Sequence, residues 1–287
     1  VAVALTDREL GSERTERTAT PFVKWAGGKR LLIPNLLRHL PSIESGRRYL
    51  EPFLGGGAMF FALCPDRALL SDLNAELVEV FEAVRDDVDG VIEALRPMKN
   101  DEESYYAARS SRPRKPTTRA ARFIYLNKTC FNGLYRVNTK GEFNVPFGRH
   151  GSNLVVCDEP QLRAASRGLS GAEIEVSDFG PIARRARAGD LVYFDPPYTT
   201  AHTNNGFIEY NQRVFSWEDQ RRLAKVALGL VKRGVRVAIS NADHPAITAL
   251  YTDSRFEVHR ITRASTMAGN SKHRFSATEL LIVGDGD

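Results

Sequence analysis

The stretch Leu191-Val192-Tyr193-Phe194-Asp195-Pro196-Pro197-Tyr198 decides how the rest of this 287-residue chain is read. Four apolar, β-prone residues run without a break into a carboxylate, two prolines and an aromatic ring. A short unbroken apolar run of this kind fits a strand buried on both faces, as in parallel sheets. In open α/β sheets ligands bind at the carboxyl ends of the strands, so Asp195 is delivered to the edge where chemistry is done. Pro196 and Pro197 stiffen the turn and remove two N–H donors. The Asp195 carboxylate and the Pro196 carbonyl then suit a planar amine whose lone pair is delocalised into a ring. Gripping both amino hydrogens favours a pyramidal nitrogen and frees the lone pair for in-line attack on an electrophilic methyl. Tyr198 suits stacking on the ring that carries the amine. Taken alone, the tetrapeptide also fits a Pro-Pro stop after a strand with an incidental Asp.

Outward from this strand, similar β-rich runs occupy 49–53, 68–72, 174–179, 235–240, 256–261 and 278–283. Helical patterns lie between most of them, at 58–63, 75–84 and 217–232, with another over 22–40 broken by Gly27-Gly28 and Pro34. Ser216 before Trp217-Glu218-Asp219 reads as an N-cap. Alternating strands and helices predict an α/β domain with a mainly parallel sheet. No helical pattern separates the last two runs, which predicts an antiparallel pair at that end.

The alternation breaks between about 85 and 169, where helical patterns at 88–95 and 119–126 give way to a loop over 127–153. From Arg109 to Arg163 there are eleven Lys/Arg against three Asp/Glu, although the whole chain carries only +5. The remainder is therefore mildly acidic, and the inserted segment is the natural face for a polyanion. Within it, Asn127 to Arg149 reads NKTCFNGLYRVNTKGEFNVPFGR, interleaving Arg, Asn and Lys with Phe131, Tyr135, Phe143 and Phe147. Arg and Asn match the major-groove edges of guanine and adenine, and aromatics wedge against or stack on bases. An ordered loop with a small aromatic core remains the alternative.

Two glycine-rich turns complete the pattern. Glu51-Pro52-Phe53-Leu54-Gly55-Gly56-Gly57 follows a strand and precedes a helix, where glycines allow a sharp turn and close approach to a ligand. Met59 and Phe60 stand where a dinucleotide fingerprint would continue its glycine spacing. About twenty residues on, Ser71-Asp72-Leu73-Asn74 ends the next strand with an acid that either meets ribose hydroxyls or caps the helix at Ala75. Phe22-Val23-Lys24-Trp25-Ala26-Gly27-Gly28-Lys29-Arg30 fails as a phosphate-binding P-loop, with Val23 in place of the leading Gly and Arg30 in place of Ser/Thr. Lys29 beside glycines still suits a small carboxylate.

Composition excludes several classes. No apolar run reaches the length of a membrane span. Residues 1–20 lack a cationic start with an apolar block and read as a mobile tail rather than a signal peptide. Cys64, Cys130 and Cys157 are odd in number and widely spaced, which argues against a disulfide framework or a zinc site, and no metal is expected. A reducing cytoplasm fits. No cysteine follows a proline, which disfavours methylation at cytosine C5.

In this combination and order, the motifs resemble the Dam-type, α-group DNA adenine-N6 methyltransferases, in particular those of DpnII-type modification systems. The likeness runs from about Pro21 to the C-terminus through KWAGGK (24–29), EPFLGGGAMF (51–60), SDLN (71–74), FNGLYRVNTKGEFNVPFGR (131–149), VSDF (176–179) and DPPY. It implies a Rossmann-like sheet of the S-adenosylmethionine-dependent methyltransferases with an inserted, mainly helical target-recognition lobe. The implied division is a tail over 1–20, a catalytic domain over 21–84 and 170–287, and a DNA-recognition insertion over 85–169. Matched by motif, Trp25, Lys29, Gly55, Gly57, Asp72, Asp178, Phe179 and Asp195 would line the S-adenosylmethionine pocket, with Asp178 on the cofactor adenine amine and Phe179 on its ring. Asp195, Pro196, Pro197 and Tyr198 would receive an adenine flipped from duplex DNA. Phe131 would stand near the vacated space, and Asn132, Leu134, Arg136, Asn138, Pro146 and Arg149 would contact bases and phosphates, with GATC as the implied target. The loop 199–210 is expected to move and close over substrate. A bacterial or phage enzyme working at the nucleoid, with or without a cognate restriction endonuclease, fits the resemblance. The residues themselves leave open another exocyclic or amide nitrogen (RNA, cytosine N4, protein glutamine), or a catalytically silent DNA-binding relative.

Overall fold

A computed structural model describes residues 19–151, 153–198, 215–263 and 277–286. The expected closing loop at 199–210 and the tail up to residue 18 lie outside the described residues. Seven strands form one sheet: β1 (Tyr49–Glu51), β2 (Ala68–Asp72), β3 (Ala172–Val176), β4 (Leu191–Phe194), β5 (Arg236–Ala242), β6 (Phe256–Arg263) and β7 (Ala277–Gly284). Their order is β3-β2-β1-β4-β5-β7-β6. The pairs β1–β2, β1–β4 and β4–β5 are parallel, while β7 runs antiparallel to both β5 and β6. The expected parallel sheet with an antiparallel pair at its end is therefore present. From β1 the chain works outward to β2, and β4 leads the other way to β5. The carboxyl ends of β1 and β4 thus meet at a topological switch point, where such sheets bind ligands.

The helices are α1 (Ile33–Leu36), α2 (Ala58–Leu63), α3 (Ala75–Asp86), α4 (Val88–Leu95), α5 (Glu102–Ser110), α6 (Pro116–Thr129), α7 (Glu159–Leu169), α8 (Phe179–Arg185), α9 (Trp217–Val231) and α10 (Pro245–Thr248). Two expectations need correction. The helical pattern over 22–40 yields only the single turn α1, which begins around Pro34 and follows Gly27 at φ +81°. The run at 174–179 is not all strand: β3 ends at Val176, because the Asp178 side chain accepts from Gly180 N–H at 2.9 Å and starts α8. Ser216 caps α9 as expected, with Asp219 closing a reciprocal capping box. At the head of α3 the cap is Asn74, whose side chain accepts from Leu77 N–H, so Asp72 is not used there.

The chain divides into two compact units. One holds Lys29–Leu54, Pro65–Leu73 and Ser177–Asp287. Its core is apolar side chains of β1, β4, β5 and β7 (Leu50, Val192, Phe194, Val237, Ile239, Leu280, Ile282) against Ile182 of α8 and Leu223, Ala227 and Leu230 of α9. Each large aliphatic side chain buried this way contributes about 1.5–3 kcal/mol. β1 and β4 are buried at every position, which explains their unbroken apolar runs.

The other unit holds Val1–Gly28, Gly55–Cys64 and Asn74–Val176. It includes the expected 85–169 insertion together with α2 and α3, because α3 packs on α6 and α7. Ala19 is buried, and Gln161 of α7 donates to Thr20 Oγ1 and the Pro21 carbonyl, so the chain is already anchored there. Asn127, on the last turn of α6 and 1% exposed, fastens the Lys24 backbone at both polar groups. Its Oδ1 accepts from Lys24 N–H at 2.7 Å, and its Nδ2 donates to the Lys24 carbonyl at 2.8 Å and to the Gly133 carbonyl at 3.3 Å. One amide therefore joins the Lys24-Trp25 segment to the start of the 131–149 loop. Asn127→Ala leaves these backbone groups without partners, and we expect it to lower stability by about 2–4 kcal/mol in urea unfolding. A loss within about 0.5 kcal/mol, as for an ordinary surface change, would remove the clamp from the account.

Candidate active site

Asp195 stands immediately beyond β4, with its side chain 21% exposed. Its carboxylate is 2.9 Å from Nζ of Lys29, a lysine only 4% exposed. The same ammonium lies 3.4 Å from Oε2 of Glu279, near the start of β7. Tyr198 closes the group: its hydroxyl donates to Glu279 Oε2 at 2.5 Å, and its ring lies 4.4 Å from Lys29 Nζ. Two carboxylates thus share one cation at the carboxyl edge of the sheet. Burial pushes the Asp195 carboxyl up to about 6; Lys29 opposes that rise and Glu279 adds to it. Below the site, Tyr49 donates to Glu51 at 2.9 Å, and Tyr193 is 2.8 Å from Ser240 Oγ. Burial drives the hydroxyls of Tyr49, Tyr193 and Tyr198 upward, so all three stay neutral hydrogen-bonding groups at ordinary pH. Pro196 is buried and Pro197 half-buried, which holds the turn in place.

Asp178 and Phe179 sit at the head of α8 in the same unit. Asp178 receives a bidentate pair from Arg222 of α9 at 2.8 and 2.7 Å. Burial pulls its carboxyl upward, but the Arg222 and Gly180 hydrogen bonds outweigh that and hold it below the usual range. Phe179 is 2% exposed, packed among Phe53, Phe194 and Phe215 at 5.5–6.5 Å, and Arg222 lies over its ring at 4.0 Å. Asp72 stands half-buried at the carboxyl end of β2.

Trp25, Gly55 and Gly57 belong to the other unit. Gly55 and Gly57 have φ of +49° and +69°, and a Cβ on Gly55 would come within 2.9 Å of the Trp25 ring. The turn needs glycine at these two positions for backbone reasons. Trp25 stacks on Tyr135 at 5.3 Å, Tyr135 stacks on Phe123 at 5.5 Å, and the Tyr135 hydroxyl donates to Glu76 at 2.7 Å.

The 131–149 loop of that unit holds its shape through two isolated bridges, Cys130↔Phe147 and Val137↔Phe143. Tyr105 O–H and Arg109 both donate to the Val145 carbonyl. Phe131, at 49%, and Leu134, at 39%, are exposed apolar side chains, and Asn132, Arg136, Pro146 and Arg149 are exposed beside them. Arg136 is braced on Asn144 through Nε and Nη2. Asn138 is half-buried and bonds within its own turn: its Oδ1 accepts from Lys140 and Glu142 N–H, and its Nδ2 donates to the Glu142 carboxylate. Glu142 also pairs with Arg112 at 2.8 Å.

Among the described residues, no group of three His, Cys, Asp or Glu is arranged to hold a metal ion, and no helix is long and apolar enough to cross a membrane. Three contributors escaped the sequence reading. Glu279 was visible only as a lone acid in the apolar run ATELLIVG, Arg222 as one of several charges on α9, and Asn127 as one of many loop asparagines.

The chain is similar to known proteins along most of its length. Residues 25–267 match the family model described as D12 class N6 adenine-specific DNA methyltransferase. The Type II methyltransferase M1.LlaDCHI of Lactococcus lactis subsp. cremoris is 37% identical, over 93% of this chain and 96% of its own. The Type II methyltransferase M.MjaIII of Methanocaldococcus jannaschii is 38% identical, over 77% of this chain and 84% of its own. The DNA adenine methylase of Escherichia coli K12 is 34% identical, over 91% and 94%. With a carboxylate, a lysine and a tyrosine gathered at the switch-point edge and these relatives along nearly its whole length, the chain belongs to the D12 class of N6 adenine-specific DNA methyltransferases.

Proposed function

We propose that this enzyme methylates adenine N6 within GATC in duplex DNA, taking the base out of the stack and transferring the methyl directly in line. The observation that carries the reading is the cluster of Lys29, Asp195, Tyr198 and Glu279 beyond β4. The methyl donor, S-adenosylmethionine, supplies an electrophilic methyl on a cationic sulfonium. A site with two carboxylates to one ammonium suits a cation, and this supports the fit of the residues present to that group. Asp72 at the end of β2 suits its ribose hydroxyls. Asp178 and Phe179 are the residues proposed for its adenine, and Arg222 has to give way for either to make that contact. Trp25, Gly55 and Gly57 are proposed from the motif match to complete its binding set.

At the target, the Asp195 carboxylate and the Pro196 carbonyl accept the two amino hydrogens, so that the nitrogen lone pair points at the methyl. Tyr198 stacks on the base, and Lys29 keeps Asp195 ionised where burial alone would neutralise it. Phe131, Asn132, Leu134, Arg136, Pro146 and Arg149 form the proposed DNA-reading surface, as the exposed side chains of the loop. Asn138 supports that surface by ordering the turn that carries it. The lobe over 85–169 is proposed as the recognition module on its local basic excess.

The test of specificity is modified-base sequencing of DNA from a host without adenine methylation that expresses this chain. N6-methyladenine at GATC is expected; its absence there with presence elsewhere would overturn the specificity and spare the chemistry. A second expectation concerns protonation. Asp195 has a raised carboxyl near 6, so it is ionised above that value and neutral below it. Turnover should therefore fall as pH drops through about 6, and Asp195→Ala should lower kcat by about 10²–10³ or more while duplex binding persists in gel shift. Normal turnover of that variant would show that Asp195 is not the amine acceptor.

A further inference from the structure

Glu279 has no part in the motif match, yet it makes two of the contacts that define the site. It sits on β7, opposite Ala242 at the end of β5 in the antiparallel pairing, which brings it to the edge where β4 delivers Asp195. Its side chain is 14% exposed. One oxygen, Oε2, both receives the Tyr198 hydroxyl and faces the Lys29 ammonium. A carboxylate in an otherwise apolar strand end is costly unless paired, and this one has both a donor and a cation. Its neighbours on β7, Leu280 and Leu281, are fully buried, so an apolar residue would have been the ordinary occupant.

We propose that Glu279 is a positioning residue of the methyl-transfer site, fixing Tyr198 through its hydroxyl and drawing Lys29 partly away from Asp195. This rests on the reading that Asp195 and Tyr198 receive the target base. The bond at 2.5 Å anchors the Tyr198 ring by its far end, so the ring keeps its plane before a base arrives. The shared ammonium makes the charge on Asp195 depend on Glu279. Among the described residues, the titratable groups around Asp195 are Lys29 at the head of the α1 segment, Glu279 on β7, Tyr193 on β4, Tyr198 in the turn, and Tyr49 on β1 with Glu51 bonded to it. Among them only Lys29 is cationic, and only Glu279 and Glu51 are carboxylates. Neutralising Glu279 removes a negative neighbour and leaves Lys29 wholly to Asp195. Both effects favour the ionised form of Asp195, so its titration must move downward.

The experiment is a carboxyl ¹³C NMR titration of Asp195 in the full chain, assigned by comparison with Asp195→Asn, alongside the pH dependence of single-turnover methyl transfer. Glu279→Gln keeps an acceptor for Tyr198 and removes the charge, and should lower the Asp195 midpoint by about one pH unit, with the acid limb of transfer following it. Glu279→Ala removes the same charge without an amide and should shift it in the same direction. Tyr198→Phe cuts the hydroxyl bond but keeps the charge, and should leave the midpoint in place. An unchanged midpoint in both Glu279 variants would overturn the proposal even if Asp195→Asn abolishes transfer. Full transfer by Asp195→Asn would instead overturn the reading of the site on which it rests.

Discussion

A lysine side chain with only 4% of its surface exposed is tolerable only where its charge is answered, and in this chain Asp195 and Glu279 answer it from two different strands' ends. Isolated burial of an ammonium would shift it to the neutral form, and stripping one partner from a buried pair costs about 3–5 kcal/mol. The three groups therefore constrain one another. Lys29 follows the Gly27-Gly28 turn, Asp195 follows β4, and Glu279 begins β7, so the ion pair fixes three separate segments of sequence at one edge of the sheet. Tyr198 is held there through Glu279. The same arrangement sets the electrostatics: burial lifts Asp195, and Lys29 limits the rise to about 6. A carboxylate poised in this way is ionised at neutral pH.

Much of this was legible in the sequence. The buried strands β1 and β4 show as unbroken apolar runs because both their faces are covered, and the acid and prolines after β4 show where the run meets solvent. The antiparallel end was legible from the lack of a helix between the last two runs. Elements whose boundaries depend on a side-chain cap were not. Asp178 reads as the tail of a strand by composition but starts α8, and the cap at α3 is Asn74 rather than Asp72. The pattern over 22–40 has helical spacing, yet its glycines and proline leave one turn.

The partners of charges were the least legible part. Sequence pointed to Lys29 as a holder of a small carboxylate, and the carboxylates it meets belong to the chain itself. Glu279 carries no local signal of its place, since a strand's period tells only which residues share a face. The 131–149 loop lies between these extremes. Phe131, Arg136 and Arg149 are exposed, whereas the side chain of Asn138 bonds within the turn between Arg136 and Asn144. Asn127 behaves similarly, with its amide consumed by the backbone of Lys24 and Gly133. In both cases polarity and spacing identify a residue type, and only the fold decides which partners its amide takes.

The Lys29 ammonium opposes the upward pull of burial on Asp195 and so sets the charge state of that carboxyl. Lys29→Met keeps the length of the side chain and removes the charge, so the Asp195 carboxyl titration in that variant reads this opposition directly. Without this ammonium to oppose burial and Glu279, the midpoint should rise well above the value of about 6 in the native chain. A midpoint that stays put or falls would contradict the account.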